Sequence, residues 1–261
     1  MKIFVRENAS LKRSKLFIIP KPNPQAKARL FCFPFAGGGV NTFVSWQTQL
    51  TNEIELVLVQ PPGRGSRILE EPYDTMQKIV DELIQEAQFI TELPYVFFGH
   101  SLGSRMAFEL CCSLKLSGFK LPHHFIASGS KAAHLKTERP SVHDLPKESF
   151  IEVLGELSGT PKEVLANPDL LDIFIPLLRA DFKIAHEYRA KPIKMPIPFV
   201  VLNGERDIEI TREQLNAWFE LSDNKGESYE LRGGHFFIRE DTEQVLIIVR
   251  EVLKRCISFS A

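Results

Sequence analysis

Short, almost wholly apolar runs punctuate this chain, and most are followed by a longer stretch in which apolar residues return every three or four positions. Runs of the first kind suit strands buried on both faces, and stretches of the second kind suit amphipathic helices. Lys15 to Pro20 (KLFIIP) reads as a first strand, with the proline-rich segment 21–24 as a turn leaving an edge. Ala28 to Phe33 (ARLFCF) is a buried strand that runs into Pro34-Phe35-Ala36-Gly37-Gly38-Gly39. Asn41 to Leu50 starts with a good N-cap residue and predicts a helix. Ile54 to Val59 (IELVLV) alternates and ends in the turn-rich Gln60-Pro61-Pro62-Gly63-Arg64-Gly65. Asp74-Thr75 then opens a helix to about Ile90, with Ile79, Leu83 and Ala87 on its inner face.

The stretch around which the chain is organised follows. Tyr95-Val96-Phe97-Phe98 suits a buried strand, and Met106, Leu110, Ser113 or Leu114, and Leu116 or Ser117 fall at helical spacing. The two are joined through Gly99-His100-Ser101-Leu102-Gly103, a G-x-S-x-G sequence in the strand-turn-helix setting of a nucleophile elbow. In such an elbow the serine sits on a sharp, strained turn at a helix N-terminus, where backbone N–H groups and the helix dipole favour developing negative charge. Phe125 to Ser128 adds a further strand, and repeated strand-helix-strand alternation predicts a parallel sheet covered on both faces.

From about 130 to 195 the alternation stops. Helical patterns at Pro146–Leu157, Pro161–Leu165 and Pro168–Tyr188 each start at or near proline, which divides the chain into a core of 1–129 and 196–261 and an inserted helical lid of 130–195. Pro176 should bend or split the longest of these helices. Its stripe of Leu170, Phe174, Leu177, Leu178 and Phe182 is what ordinary packing produces and also what an acyl-binding surface needs. Because an elbow-type site must exclude water, Phe174, Leu178 and Phe182 are the candidate channel residues. The sheet resumes at Ile197 to Leu202, followed by a helix at Thr211–Leu221, a last strand at Ser228–Leu231 and a helix at Thr242–Ile257.

Composition narrows the function classes. A net charge of −1 over 261 residues leaves no electrostatic footprint for nucleic acid or an anionic membrane. No apolar run reaches the length of a membrane span, and the first residues lack the apolar core of a signal peptide, so the cytoplasm is the expected compartment and a monomer the expected state. The four cysteines have no C-x-x-C spacing and read as buried free thiols, so no metal is assigned and no cofactor is expected.

A serine hydroxyl needs a base in reach and a carboxylate to orient that base. His235 alone of the seven histidines follows a strand and two glycines, and Asp207 follows the preceding strand on the same edge, with Gly204 permitting a tight turn. The chain order Ser101, Asp207, His235 is that of the α/β-hydrolase fold, a mostly parallel sheet with helices on both faces. The backbone N–H of Leu102, with that of Ala36 or Phe35 from the glycine-rich loop, would make the oxyanion hole.

Six segments in order, Phe33–Gly38, Gln60–Gly65, Gly99–Gly103, Leu178–Phe182, Gly204–Asp207 and Gly233–Phe237, resemble the type II thioesterases of nonribosomal peptide and polyketide synthases over nearly the whole chain, from about Phe31 to Val252. The family often has histidine where Phe35 stands, a departure without consequence if that position lends only its backbone. The resemblance implies hydrolysis of acyl groups from the phosphopantetheine arm of acyl or peptidyl carrier proteins, and a helical lid that shapes the acyl channel. Two readings compete with it. One is a fatty acyl-carrier thioesterase or a carboxylesterase, and the other is an inactive hydrolase fold used for binding.

Overall fold

The computed structural model describes residues 14–157 and 159–258, so the N-terminal segment read for targeting lies largely outside the described residues. The apolar runs form seven strands: β1 (Phe17–Ile18), β2 (Ala28–Phe33), β3 (Ile54–Val59), β4 (Tyr95–His100), β5 (His124–Ser128), β6 (Phe199–Gly204) and β7 (Glu227–Leu231). They make one sheet in the order β1-β3-β2-β4-β5-β6-β7, in which β1 alone runs antiparallel, against β3. Strands β2 to β6 are buried at every position, as a sheet covered on both faces requires, whereas the edge strand β7 alternates.

The period of two sorts the strand residues between two cores. Phe31, Phe33, Val57, Phe97, Phe125 and Phe199 face one layer, packed under α1 (Met76–Gln85), α2 (Ala87–Thr91) and α3 (Leu102–Leu116). Leu30, Cys32, Leu56, Leu58, Val96 and Phe98 face the other, beneath the later helix at Thr242–Ser258. All four cysteines are buried.

Several local expectations change. The polar residue in β3, Glu55, is buried instead of facing water, because Arg29 beside it in register donates from Nε at 2.8 Å. The Asn41–Leu50 segment is two 3₁₀ helices, Val40–Thr42 and Val44–Gln49, and not one α-helix capped by Asn41. In a 3₁₀ turn residues three apart eclipse, which lets Phe43 and Trp46 pack against each other (5.0 Å) and both against Phe98. The helix from Thr75 breaks at Glu86 into α1 and α2, and Leu116 at the end of α3 is exposed.

Residues 130–195 supply α4 (Lys147–Glu156), α5 (Lys162–Leu165) and α6 (Pro168–Glu187) and, among the described residues, no strand. Helix α6 is not split at Pro176. Its neighbours hold it: Arg179 donates to the carbonyls of His143 and Leu145 and lies over the Phe150 ring at 4.6 Å. Phe150, Leu154 and Leu178 form a small third core there. The chain ends in α7 (Arg212–Asn216), begun by a Thr211 capping box, then α8 (Phe237–Glu240) and α9 (Thr242–Ser258). Among the described residues no helix is long and apolar enough to cross a membrane.

Candidate active site

The turn between β4 and α3 is as sharp as its sequence implies. Ser101 has φ 53° and ψ −118°, the only positive φ outside glycine among the described residues, a conformation that costs on the order of 1–3 kcal/mol. The turn is held by Ser101 N–H donating to Ser128 O (2.8 Å) and Ser104 Oγ donating to Gly99 O (2.7 Å). Helix α3 crosses two strands so closely that a Cβ on Gly103 would lie 2.1 Å from Phe33 O of β2, and one on Gly99 of β4 would lie 2.4 Å from the Gly103 carbonyl carbon. That crossing is why both flanking positions are glycine. Ser101 precedes the first residue of α3, yet its side chain makes no capping bond.

Asp207 and His235 come from the loops after β6 and β7. The Asp207 N–H donates to Gly204 O (3.0 Å), closing the expected turn, and Asp207 Oδ1 accepts from the Glu209 N–H at 2.9 Å. The other carboxylate oxygen lies 2.8 Å from His235 Nδ1, which as the partner of a carboxylate carries the proton. Burial opposes the charged imidazolium, but the Asp207 hydrogen bond and the charges of Glu209 and Asp207 outweigh it, and the His235 pKa is raised. His100 behaves oppositely. Its ring lies 5.3 Å from that of His235, and burial, followed by the charge of His235, drives its pKa far down, so it stays neutral with Nδ1 on Ser128 Oγ (2.9 Å).

The glycine-rich loop after β2 is fastened from two sides. Gly37, at φ +74°, donates its N–H to Asp181 Oδ2 of α6 at 2.7 Å, and Gly38 N–H donates to Phe35 O at 2.8 Å. Arg64, from the Gln60–Gly65 loop, donates Nη2 to Asp181 Oδ1 (2.9 Å) and Nη1 to Gly38 O (2.8 Å). Arg64 and Asp181 are both buried. One ion pair therefore ties two sheet-edge loops to the helix above them.

Ser101, Leu102, Phe35, Ala36 and His235 line one cavity of about 360 Å³, and Leu178 and Phe182 of α6 line it too. Asp207 stands behind the histidine, and Phe174 is not among the lining residues. Phe174 packs instead against the small core under α4. Leu154 and Leu157 occupy the wall that Phe174 was expected to share. The helical pattern over 146–157 carries no sign of what those leucines meet. Arg105, Lys131 and Glu209 also carry functional groups here that sequence pattern did not single out, since each lies beside an obvious motif and not within it.

A mostly parallel sheet bearing a serine on a strained strand-to-helix turn, with an acid after β6 and a histidine after β7, defines the α/β-hydrolase fold. Within that class the chain belongs to the thioesterase family: residues 28–255 match the family model for the thioesterase domain. It is 35% identical over 236 residues to the gramicidin S biosynthesis protein GrsT of Aneurinibacillus migulanus, covering 89% of this chain and 91% of that one. It is 30% identical over 244 residues to the medium-chain S-acyl fatty acid synthase thioesterase of Rattus norvegicus, covering 92% and 91%. Among solved structures, the type II thioesterase BorB from the borrelidin biosynthetic cluster superimposes with a TM-score of 0.83 at 29% identity, over 91% of this chain and 97% of that one. The likeness to type II thioesterases read from the six segments is thus found along the whole fold.

Proposed function

We propose that this protein is a serine thioesterase that hydrolyses acyl groups from the phosphopantetheine arm of acyl or peptidyl carrier proteins, acting in the cytoplasm as a monomeric editing enzyme of a nonribosomal peptide or polyketide assembly line. The observation that carries the reading is the Asp207–His235 pair sharing a cavity with a serine whose hydroxyl is left free on a strained elbow. Ser101 Oγ attacks the thioester carbonyl carbon and passes its proton to His235 Nε2, while Asp207 holds the Nδ1–H and steadies the imidazolium. The C–S bond breaks, the proton goes to sulfur, and the arm leaves as a thiol. Water then gives a proton to Nε2 as its oxygen bonds to the acyl carbon, the bond to Oγ breaks, and Ser101 regains its proton. The products are a free acid and the carrier thiol.

Leu102 opens α3, so its N–H has no acceptor within the helix and can meet the oxyanion. In the glycine-rich loop Gly37 and Gly38 have committed their N–H groups elsewhere, which leaves Ala36 and Phe35, both lining the cavity, to supply the second donor. The scheme uses only the chain's own residues and water.

Replacing Ser101 by alanine should lower turnover by about three to six orders of magnitude and abolish labelling by a fluorophosphonate. Normal turnover in that variant, or labelling at another residue, would remove the basis of the reading. The similarity to a fatty acid synthase thioesterase supports a second reading, a fatty acyl-carrier thioesterase. One acyl chain offered on a carrier protein, on coenzyme A and as a simple ester separates these enzymes from a carboxylesterase, which would favour the ester.

A further inference from the structure

One turn of α3 beyond Ser101, about 5–6 Å along the axis, Arg105 reaches the same cavity although only 6% of it is exposed. Its Nη2 donates to the carbonyls of Ala185 (2.5 Å) and Ile184 (3.4 Å), and its Nε is buried with no partner. Lys131, on the loop after β5, lines the cavity as well. Its Nζ donates to Thr137 Oγ1 (2.8 Å), which donates in turn to Ala185 O (3.2 Å). Arg105 thus meets the Ala185 carbonyl directly and Lys131 is linked to it through the Thr137 hydroxyl, and among the described residues neither cation has a carboxylate within ion-pairing distance. The acids that line the cavity are Glu138, which is exposed and in no ion pair among the described residues, and Glu209, which Arg139 approaches at 3.6 Å. Tyr188, whose ring lies 5.7 Å from the Arg105 guanidinium, donates its hydroxyl hydrogen bond to Glu109 Oε2.

The carbonyls at the end of α6 account for a cation at this place, but not for a second one, nor for a guanidinium buried without a carboxylate. Burial pulls Arg105 down to about 10, and burial followed by the charge of Arg105, partly offset by the charge of Glu138, pulls Lys131 down to about 8. Both are charged near neutral pH. We propose that the Arg105–Lys131 corner seats a carboxylate carried by the acyl chain, so that preferred substrates are thioesters of short dicarboxylic acids. The inference rests on the thioesterase reading above. The phosphate of the pantetheine arm is not the occupant, because it sits at the far end of the arm from the thioester whereas Arg105 is one helical turn from the nucleophile. An aminoacyl group would bring its ammonium against two cations.

The test compares succinyl-pantetheine with 4-methylpentanoyl-pantetheine, its neutral isostere, by kcat/KM. A hydrogen-bonded ion contact predicts a preference of about tenfold or more for the succinyl ester. Lys131→Met should lower that ratio about tenfold and Arg105→Gln by more, while Glu138→Gln should raise it. Since Arg105 also holds the end of α6, Lys131→Met decides the matter if the Arg105 variant does not fold. A wild-type ratio at or below one, with the neutral ester turned over, overturns the proposal and leaves the thioesterase reading standing. A ratio unmoved by Lys131→Met does the same. Failure to hydrolyse either ester, with Ser101 unlabelled by fluorophosphonate, overturns both.

Discussion

Replacing Asp181 with leucine leaves the Arg64 guanidinium buried without its anion and strips the Gly37 N–H of its acceptor. Removing one partner of a buried pair costs about 3–5 kcal/mol, and the orphaned amide about 1–3 kcal/mol more, with the two overlapping because they share one carboxylate. A loss of about 4 kcal/mol follows, which for a chain of this size lowers Tm by about 8–16 °C. Asp181→Asn keeps one acceptor oxygen and loses the charge, so it should fall between. The informative variant is the double one, Asp181→Leu with Arg64→Met, in which neither charge is stranded. It should recover at least about half of the loss, since a buried ion pair and an apolar replacement of similar volume are often nearly equivalent. Urea unfolding of the two singles and the double gives the coupling directly. A single variant within about 0.5 kcal/mol of the parent, or a double variant costing the sum of the singles, would show that this pair does not hold the two loops to α6.

Other expectations are independent of that pair. In the proposed mechanism activity needs neutral His235, whose raised pKa should set the acid limb of kcat/KM above the ordinary histidine value of 6.5. The charge of Glu209 contributes to that rise, so Glu209→Gln should move the limb to lower pH, and a limb that stays put or moves up contradicts the assignment. Phe182→Ala should change the ratio of long to short acyl chains about tenfold or more, because its ring lines the cavity. Phe174→Ala, behind that wall, should alter unfolding while leaving the chain-length profile alone, and equal shifts in the two profiles would place the channel elsewhere. Gly103→Ala would set a methyl 2.1 Å from Phe33 O at the end of β2, a backbone atom that cannot yield cheaply, so a destabilisation of about 3 kcal/mol is expected, and a stable variant with parent activity would mean that β2 and α3 can separate.

Much of the sheet was legible along the chain because burial on both faces leaves an unbroken apolar run, and β2 and β3 match their predicted ends residue for residue. Segments with mixed patterns were read less well. Asn41 looked like a cap, but the pull of Phe43 and Trp46 onto Phe98 settled the backbone there. Pro176 looked like a break, yet α6 is one helix, its flank held by contacts that no local rule contains. Phe174 and Phe182 stand eight residues apart on one stripe, and only the packing of α4 decides that the second lines the cavity and the first does not.

By itself the sequence determined the glycine-flanked turn at Ser101, the strand ends that carry Asp207 and His235, and the alternation of strand and helix, because each of these depends on residue types at short fixed spacing. The tertiary structure alone decided that Asp181 meets Arg64 across 117 positions, that α6 fastens the glycine-rich loop, and that Arg105 and Lys131 share a corner beside the serine. Such contacts join residues far apart in the chain. Local periodicity records which face of an element is buried, and it contains no information about which distant group will be waiting there.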